Sequence, residues 1–183
     1  GTFRVNSVLF YNCVITDILT NGADFIDFRT SSACVNLTLS NSTFNNCAPA
    51  RDFIRMDNAT ALTDVNPVIL IDRCTFYKVS DPVKRLLYVR KAGNSSTVKN
   101  SIIAQTTGYY SNQSGTTQPV CDNNNYFNAA DYLPTSVVAA VKTDQSGNFT
   151  TLDPGFGDAA TGNFKVSNQT LIDNNVGDPR WLQ

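Results

Sequence analysis

No histidine and no glutamate occur in this 183-residue chain, all 15 of its acidic residues being Asp. Their absence leaves few groups suited to acid–base catalysis and removes a strong helix former, while 21 Asn and 20 Thr supply turn formers and β-branched residues in abundance. The chain is therefore expected to be all-β. Neither sign of charge prevails: 14 Lys and Arg against 15 Asp give a formal net charge of −1, and the basic residues are scattered. That balance argues against a nucleic-acid partner and against an anionic membrane surface. No apolar run is long enough to span a bilayer, so no membrane insertion is expected, and no secretion signal stands at the start. The odd count of 5 cysteines excludes complete internal pairing. A hydrophobic content of 42% is enough for the core of one domain.

One short phrase returns along the chain: apolar residue, spacer, Asn, small polar residue or Cys, spacer, large apolar residue. It reads Phe10-Tyr11-Asn12-Cys13-Val14-Ile15, Leu39-Ser40-Asn41-Ser42-Thr43-Phe44, Ile71-Asp72-Arg73-Cys74-Thr75-Phe76, Val98-Lys99-Asn100-Ser101-Ile102-Ile103 and Cys121-Asp122-Asn123-Asn124-Asn125-Tyr126. The third positions are 29, 32, 27 and 23 residues apart, a fixed phrase with drifting spacing, which is the mark of a solenoid. Before each phrase runs an alternating strand in which Val35, Leu37 and Leu39, or Val8 and Phe10, point inward. A further strand follows the corner: Phe25–Arg29, Phe53–Asp57, Leu86–Arg90 and, more weakly, Gly108–Tyr110. Three strands and three corners in each repeat predict one turn of a parallel β-helix, with Asn at the corner accepting a left-handed backbone and laddering its amide to the next rung. Residues 1–127 are assigned to about five rungs, and residues 128–183 to a last irregular rung and a C-terminal cap. In that second part Val137–Val141 reads as either helix or strand, and Ser167 to Gly177 as a helical turn between a good N-cap and a good C′ residue. The chain opens almost directly on a strand, so upstream domains of the same polypeptide, carrying any targeting signal, are expected.

The Asn corner, the rung length and the closing phrases Leu152-Asp153-Pro154-Gly155-Phe156, Gly162-Asn163-Phe164-Lys165-Val166-Ser167 and Asp173–Pro179 resemble right-handed parallel β-helix proteins of the pectate-lyase-like superfamily. More narrowly, the ending is similar to an uncharacterised C-terminal β-helix family attached to secreted or surface proteins of glycan-degrading bacteria. The resemblance implies an extracellular or cell-surface setting, with the periplasm as the alternative, and a polysaccharide face on the strands carrying Asp27, Arg55 and Tyr88. It does not fix an activity, because this superfamily hosts lyases, hydrolases, binding modules and spacers.

On that face two outward columns are expected, Asp27-Arg55-Tyr88 and Arg29-Asp57-Arg90, with rungs about 4.8 Å apart. Asp27 would sit over Arg55, and Asp57 between Arg29 and Arg90. Such alternation is either a satisfied ladder worth less than about 1 kcal/mol per pair or a glycan groove, in which Arg and Asp bind hydroxyls or carboxylates while Tyr88 and Tyr109 stack on sugar rings. Lys84, Arg85 and Lys91 flank it as a cationic rim suited to an acidic polysaccharide. Asp27 and Asp57 fall roughly 8 Å apart by strand geometry, a spacing open to an inverting glycosidase pair. Their Arg neighbours, however, would lower the pKa that a general acid needs raised. Polygalacturonase-like members of the superfamily also pair clustered Asp with a His, which this chain lacks. A lyase would need calcium, and Asp24, Asp27, Asp52 and Asp57 are interleaved with Arg29, Arg51 and Arg55; its base would be Arg55 or Arg90.

The expectation is a non-catalytic module that binds or presents polysaccharide through Asp27, Arg29, Arg55, Asp57, Lys84, Tyr88, Arg90 and Tyr109. No metal or cofactor is assigned, calcium entering only with the lyase. A uronic-acid lyase and a structural spacer or adhesin stalk are the alternatives. Cys13 and Cys74 share a rung position but lie two rungs apart, about 9.6 Å and beyond disulfide reach, so the cysteines are read as small apolar filler. Seven Asn-x-Ser/Thr sequons are what a chain this rich in Asn, Ser and Thr gives by chance.

Overall fold

The computed structural model describes residues 1–57, 60–134 and 140–183, so most of the ambiguous Val137–Val141 segment lies outside the described residues. Each turn starts with an alternating strand: β1 (Phe3–Tyr11), β4 (Ser32–Ser40), β7 (Val68–Asp72), β10 (Ser95–Lys99) and β12 (Val120–Asp122). These pair in parallel, in that order, as one sheet. A second parallel sheet stacks β2 (Val14–Thr16), β5 (Thr43–Asn45), β8 (Thr75–Tyr77), β11 (Ile102–Ala104), β13 (Asn124–Phe127) and β14 (Phe149–Thr150). The third holds β3 (Ile26–Phe28), β6 (Ile54–Met56) and β9 (Leu87–Val89). The three sheets enclose one core as a β-solenoid of about five turns, the all-β parallel fold that the repeated phrase predicts.

The phrase falls in register. Phe10, Leu39, Ile71, Val98 and Cys121 form one column, and Ile15, Phe44, Phe76, Ile103 and Tyr126 another. Between them Asn12, Asn41, Arg73, Asn100 and Asn123 all take left-handed φ of 48° to 56°. Each corner N–H donates to the carbonyl just before the next rung's corner, Asn12 to Ser40 at 3.2 Å and Asn100 to Asp122 at 3.0 Å, for example. The side-chain amide ladder is shorter than expected. Asn123 Nδ2 donates to Asn100 Oδ1 at 2.9 Å, but Asn100 Nδ2 turns to Asp72 Oδ1 at 2.9 Å, because Arg73 at the adjoining corner carries no acceptor.

A more continuous ladder runs one position later. Ser42 Oγ accepts the Cys13 N–H at 3.1 Å, Ser101 Oγ the Cys74 N–H at 3.1 Å, and Asn124 Oδ1 the Ser101 N–H at 3.0 Å. Each such bond contributes about 1 kcal/mol and removes a buried unsatisfied donor. A second left-handed corner follows the first by five residues in every rung, at Asp17, Asn46, Lys78, Gln105 and Asn128, with φ of 49° to 56°. Its N–H groups bond upward in the same way, Asp17 to Asn45 O and Asn46 to Tyr77 O at 2.9 Å each.

Inside, Phe44 stacks on Phe76 at 5.3 Å and Phe25 on Phe53 at 4.7 Å, the two pairs meeting edge to face. Burying each ring stabilises the fold by about 1.5–3 kcal/mol. The predicted inward alternation fails at Val35. The β1–β4 ladder skips from Val5↔Cys34 to Ser7↔Asn36, so Cys34 takes the core position and Val35 turns outward beneath Leu62 and Val65.

The C-terminal part does two jobs. Tyr132 and Phe149 close the last rung against Tyr126, with ring centroids 5.9 and 6.0 Å away. From Leu152 the chain folds back along the outside of the second sheet, packing Phe156, Val166, Leu171, Val176 and Trp181 with Ile102 and Ala104. Gly177 N–H reaches Asn100 O at 2.8 Å, the buried Asp178 carboxylate accepts from Thr43 Oγ1 at 2.7 Å, and Arg180 bonds Asn12 Oδ1 at 2.7 Å. The expected cap is therefore an end cap joined to a lateral strap that crosses the rungs back to the first. Within it, α1 (Gln169–Asp173) is capped by Asn168, whose Oδ1 accepts from Thr170 and Leu171, rather than by Ser167, whose hydroxyl donates to Gly155 O.

All five thiols are free; Cys34, Cys47, Cys74 and Cys121 are buried and Cys13 half-buried. Burial pushes the Cys47 thiol up to about 11 and Cys121 up to about 12, and raises Cys34 and Cys74 as well. Since the thiolate is the reactive form, a disulfide-exchange reagent at mildly alkaline pH is expected to label only Cys13 in the folded protein and all five thiols in denaturant. Rapid native labelling of a second cysteine would contradict this packing.

Candidate functional site

The third sheet carries the predicted face. Ile26↔Ile54↔Leu87 and Phe28↔Met56↔Val89 point inward, and Asp27↔Arg55↔Tyr88 point outward between them. Arg55, Asp57, Tyr88 and Arg90 thus share one solvent-facing strip, as the alternation predicts. Their pairing differs from the predicted columns. Asp57 lies between Arg55 (2.9 Å) and Arg90 (2.7 Å), while Arg29 turns back to Asp27 on its own rung at 2.6 Å. A guanidinium on a flexible stem reaches along its own strand as readily as across rungs, so register alone does not fix its partner. Arg55 also contacts Asp24 at 3.3 Å instead of Asp27. Asp27 Oδ1 has no hydrogen-bond donor among the described residues.

A third outward column, three residues before the Asp27-Arg55-Tyr88 column, was not picked out from sequence: Asp24, Asp52, Arg85 and Tyr109. Its signal was legible, since Asp-Phe-Ile occurs at both Asp24 and Asp52. Asp24 Oδ1 accepts the Asp52 N–H at 3.0 Å, and Asp52 grips Arg85 through Nε at 2.7 Å and Nη2 at 2.9 Å. Arg85 continues to Asn112 Oδ1 at 3.2 Å, and Asn112 donates to the Tyr109 hydroxyl at 3.0 Å. Gly108 permits this fourth rung to close up, because a Cβ there would strike the Lys84 carbonyl.

Tyr88 sits among three guanidinium groups, Arg85 at 4.4 Å, Arg55 at 4.9 Å and Arg90 at 5.1 Å from its ring centre. Each contact is worth about 0.5–1 kcal/mol at a partly exposed site. Burial tends to lower the Arg55 and Arg85 pKa values, but hydrogen bonds to Asp57 and Asp24, and to Asp52, outweigh it and hold both above the ordinary arginine value. Burial likewise tends to raise Asp57, and the hydrogen bonds from Arg55 and Arg90 outweigh it and hold the carboxyl below the usual range.

Of the flanking cations, Lys84 and Arg85 line a concavity of about 140 Å³ with Asp24, Ala50, Arg51, Asp52 and Arg55. Lys91 does not join them. The chain turns it inward, where it is buried and donates to Leu62 O. Arg51 and Lys84 make no ion pair among the described residues, whereas Arg29, Arg55, Arg85 and Arg90 all do. Over the whole face six cations (Arg29, Arg51, Arg55, Lys84, Arg85, Arg90) meet four carboxylates (Asp24, Asp27, Asp52, Asp57), an excess of two positive charges on a chain whose net charge is −1. Among the described residues no three His, Cys, Asp or Glu side chains come together as metal ligands, and no helix is long and apolar enough to cross a membrane.

Residues 69–181 match the protein-family model described as Domain of unknown function (DUF5123). The chain belongs to that family. The DUF5123 match starts in β7, so Lys84, Arg85, Tyr88, Arg90 and Tyr109 fall inside it, and Asp24, Asp52, Arg55 and Asp57 precede it. No curated protein and no solved structure matches the chain.

Because the folded Asp57 pKa lies below the unfolded one, the unfolded chain takes up the proton first. The stability this carboxylate supplies is complete above the ordinary Asp range and is lost as pH falls through the lowered value. Asp57→Asn is expected to destabilise the protein by about 1–2 kcal/mol at neutral pH. The variant should also lose less melting temperature than the parent on acidification from about pH 5 to pH 3. Parallel acid limbs for the two proteins would show that Asp57 is not held in the ion-paired state.

Proposed function

We propose that this domain is a non-catalytic module that binds or presents an acidic polysaccharide, one bearing uronate or sulfate groups, on the face built by β3, β6 and β9. The observation that carries the reading is the cationic excess at the Asp24–Arg85 concavity. Its buried carboxylates, Asp24 and Asp52, are committed to backbone N–H groups and to Arg55 and Arg85. Arg51 and Lys84, without ion pairs among the described residues, remain to meet an anion. A guanidinium already fixed by a carboxylate loses little freedom when it meets a ligand, which favours binding. A volume of about 140 Å³ suits a single carboxylate or sulfate group projecting from a chain rather than a whole sugar ring. Tyr88 packs against Arg55 and Arg85 of this lining, and Tyr109 pairs with Arg85 on the next rung, where they would support the sugar carrying that group.

The lyase alternative asks Arg55 or Arg90 to act as a base. Both guanidinium groups are engaged by Asp57, and Arg55 binds its proton more tightly than an ordinary arginine, which is the opposite of what proton abstraction needs. The reading carries with it the kinship to pectate-lyase-like β-helices and an extracellular or cell-surface setting in a longer bacterial protein, with no cofactor.

Affinity electrophoresis through gels containing pectate, alginate, a sulfated glycosaminoglycan or a neutral glucan tests it. Retardation by at least one acidic polymer is expected, weakening with added salt. In Arg51→Ala/Lys84→Ala the apparent affinity should fall roughly tenfold with an unchanged melting temperature, one to two exposed charge contacts being lost. No retardation by any acidic polymer, or equal retardation of the double variant, overturns the proposal.

A further inference from the structure

The second left-handed corner column creates a different feature on another part of the surface. At Asp17, Asn46 and Lys78 the backbone turn throws three side chains of successive rungs outward, where Asn46 Nδ2 donates to Asp17 Oδ1 at 2.8 Å. The lateral strap passes beside this column, and its short turn Ala159–Thr161 forms the opposite wall of a cleft of about 310 Å³. Asn45 and Tyr77 complete the lining. The Tyr77 ring is wedged edge-on by Phe156 and Phe164 at 6.0 and 5.4 Å, with Lys78 Nζ at 5.4 Å from its centre. This cleft is more than twice the volume of the cationic concavity and reaches the size at which small-ligand sites begin, about 300 Å³.

We propose that this cleft binds one neutral sugar residue through its ring hydroxyls. The lining carries one carboxylate and one ammonium, Asp17 and Lys78, and neither is in an ion pair among the described residues. With no net charge the site does not select an anion, unlike the Arg51–Lys84 face. It contains acceptors in Asp17 Oδ2 and Asn46 Oδ1, and donors in the Asn45 amide and Lys78 Nζ, interleaved within one wall. A hydroxyl both donates and accepts, so a ring bearing adjacent hydroxyls matches such a wall. An apolar ligand would leave it unsatisfied. From the strap only Ala159 and Ala160 line the cleft, and side chains this small leave it open to a ring. Nothing in this site depends on the acidic-polysaccharide reading.

The test is ligand-observed NMR on the full chain with glucose, galactose, mannose, xylose and arabinose as separate probes. Binding of at least one is expected. Ala160 is exposed, and Ala160→Trp should fill the cleft and abolish that binding while the melting temperature holds. Asp17→Asn, which suits the left-handed backbone, should weaken it roughly tenfold by removing one charged acceptor. Arg51→Ala/Lys84→Ala should leave it unchanged, so failure here and failure of the cationic face are read separately. No binding of any of the five sugars, or binding that persists in Ala160→Trp, overturns the assignment.

Discussion

Two left-handed corners, always five residues apart, are the constraint on which the rest of this molecule depends. At Asn12 and Asp17, Asn41 and Asn46, Arg73 and Lys78, Asn100 and Gln105, Asn123 and Asn128, φ lies between 48° and 56°. Only three residues of strand fit between the members of each pair in the first four rungs, and their backbone hydrogen bonds continue through the corners to the next rung. A left-handed residue costs an ordinary side chain about 1–2 kcal/mol, and stacking offsets that by pairing the corner N–H groups with carbonyls of the next rung, from Asn12 and Asp17 to Gln105 and Asn123. The cassette is rigid for this reason. The segments after it vary in length, and they carry β3, β6 and β9, on whose outer face the site is built.

The site follows directly from that division. With the core-facing residues of β3, β6 and β9 fixed, their neighbours must project outward at one rung spacing, and any charge there sits within reach of the rungs above and below. Asp24 and Asp52 use this twice, each taking a backbone N–H of the following rung and an arginine. The arginines then surround Tyr88 and leave Arg51 and Lys84 as the cations in excess. Individual pairs of this kind contribute little to stability. Their effect is to hold charged groups in one arrangement, which under the proposed function would lower the entropy cost of meeting a ligand.

Sequence made the solenoid legible because its first corner is marked by letters: Asn recurs at four of five positions, with Ser or Cys beside it in the first four rungs. The second corner was not, since Asp17, Asn46, Lys78, Gln105 and Asn128 share a backbone angle and no chemistry. The outward strip of Arg55, Asp57, Tyr88 and Arg90 was readable from period-two alternation, whereas the partner of each charge was not, because a long side chain chooses among several neighbours at similar distance. Lys91 shows the limit of proximity in sequence, one residue from Arg90 and yet buried under Leu62. The neutral cleft joins Asp17 to Ala160, and only the returning strap brings them together.

Arg73 gives the most direct test of the corner constraint, being an exposed non-Asn residue held at φ 52° with no ion pair among the described residues. Urea unfolding of the parent, Arg73→Asn and Arg73→Val would measure what the backbone angle alone contributes. The constraint predicts that Asn, at ease in this conformation and able to accept from Asn100, raises the midpoint by about 0.5–1 kcal/mol of stability, and that β-branched Val lowers it by about 1–2 kcal/mol or more, with slopes unchanged. If Val is tolerated as well as Arg, or Asn destabilises, the stacked left-handed corners are not what holds the rungs in register.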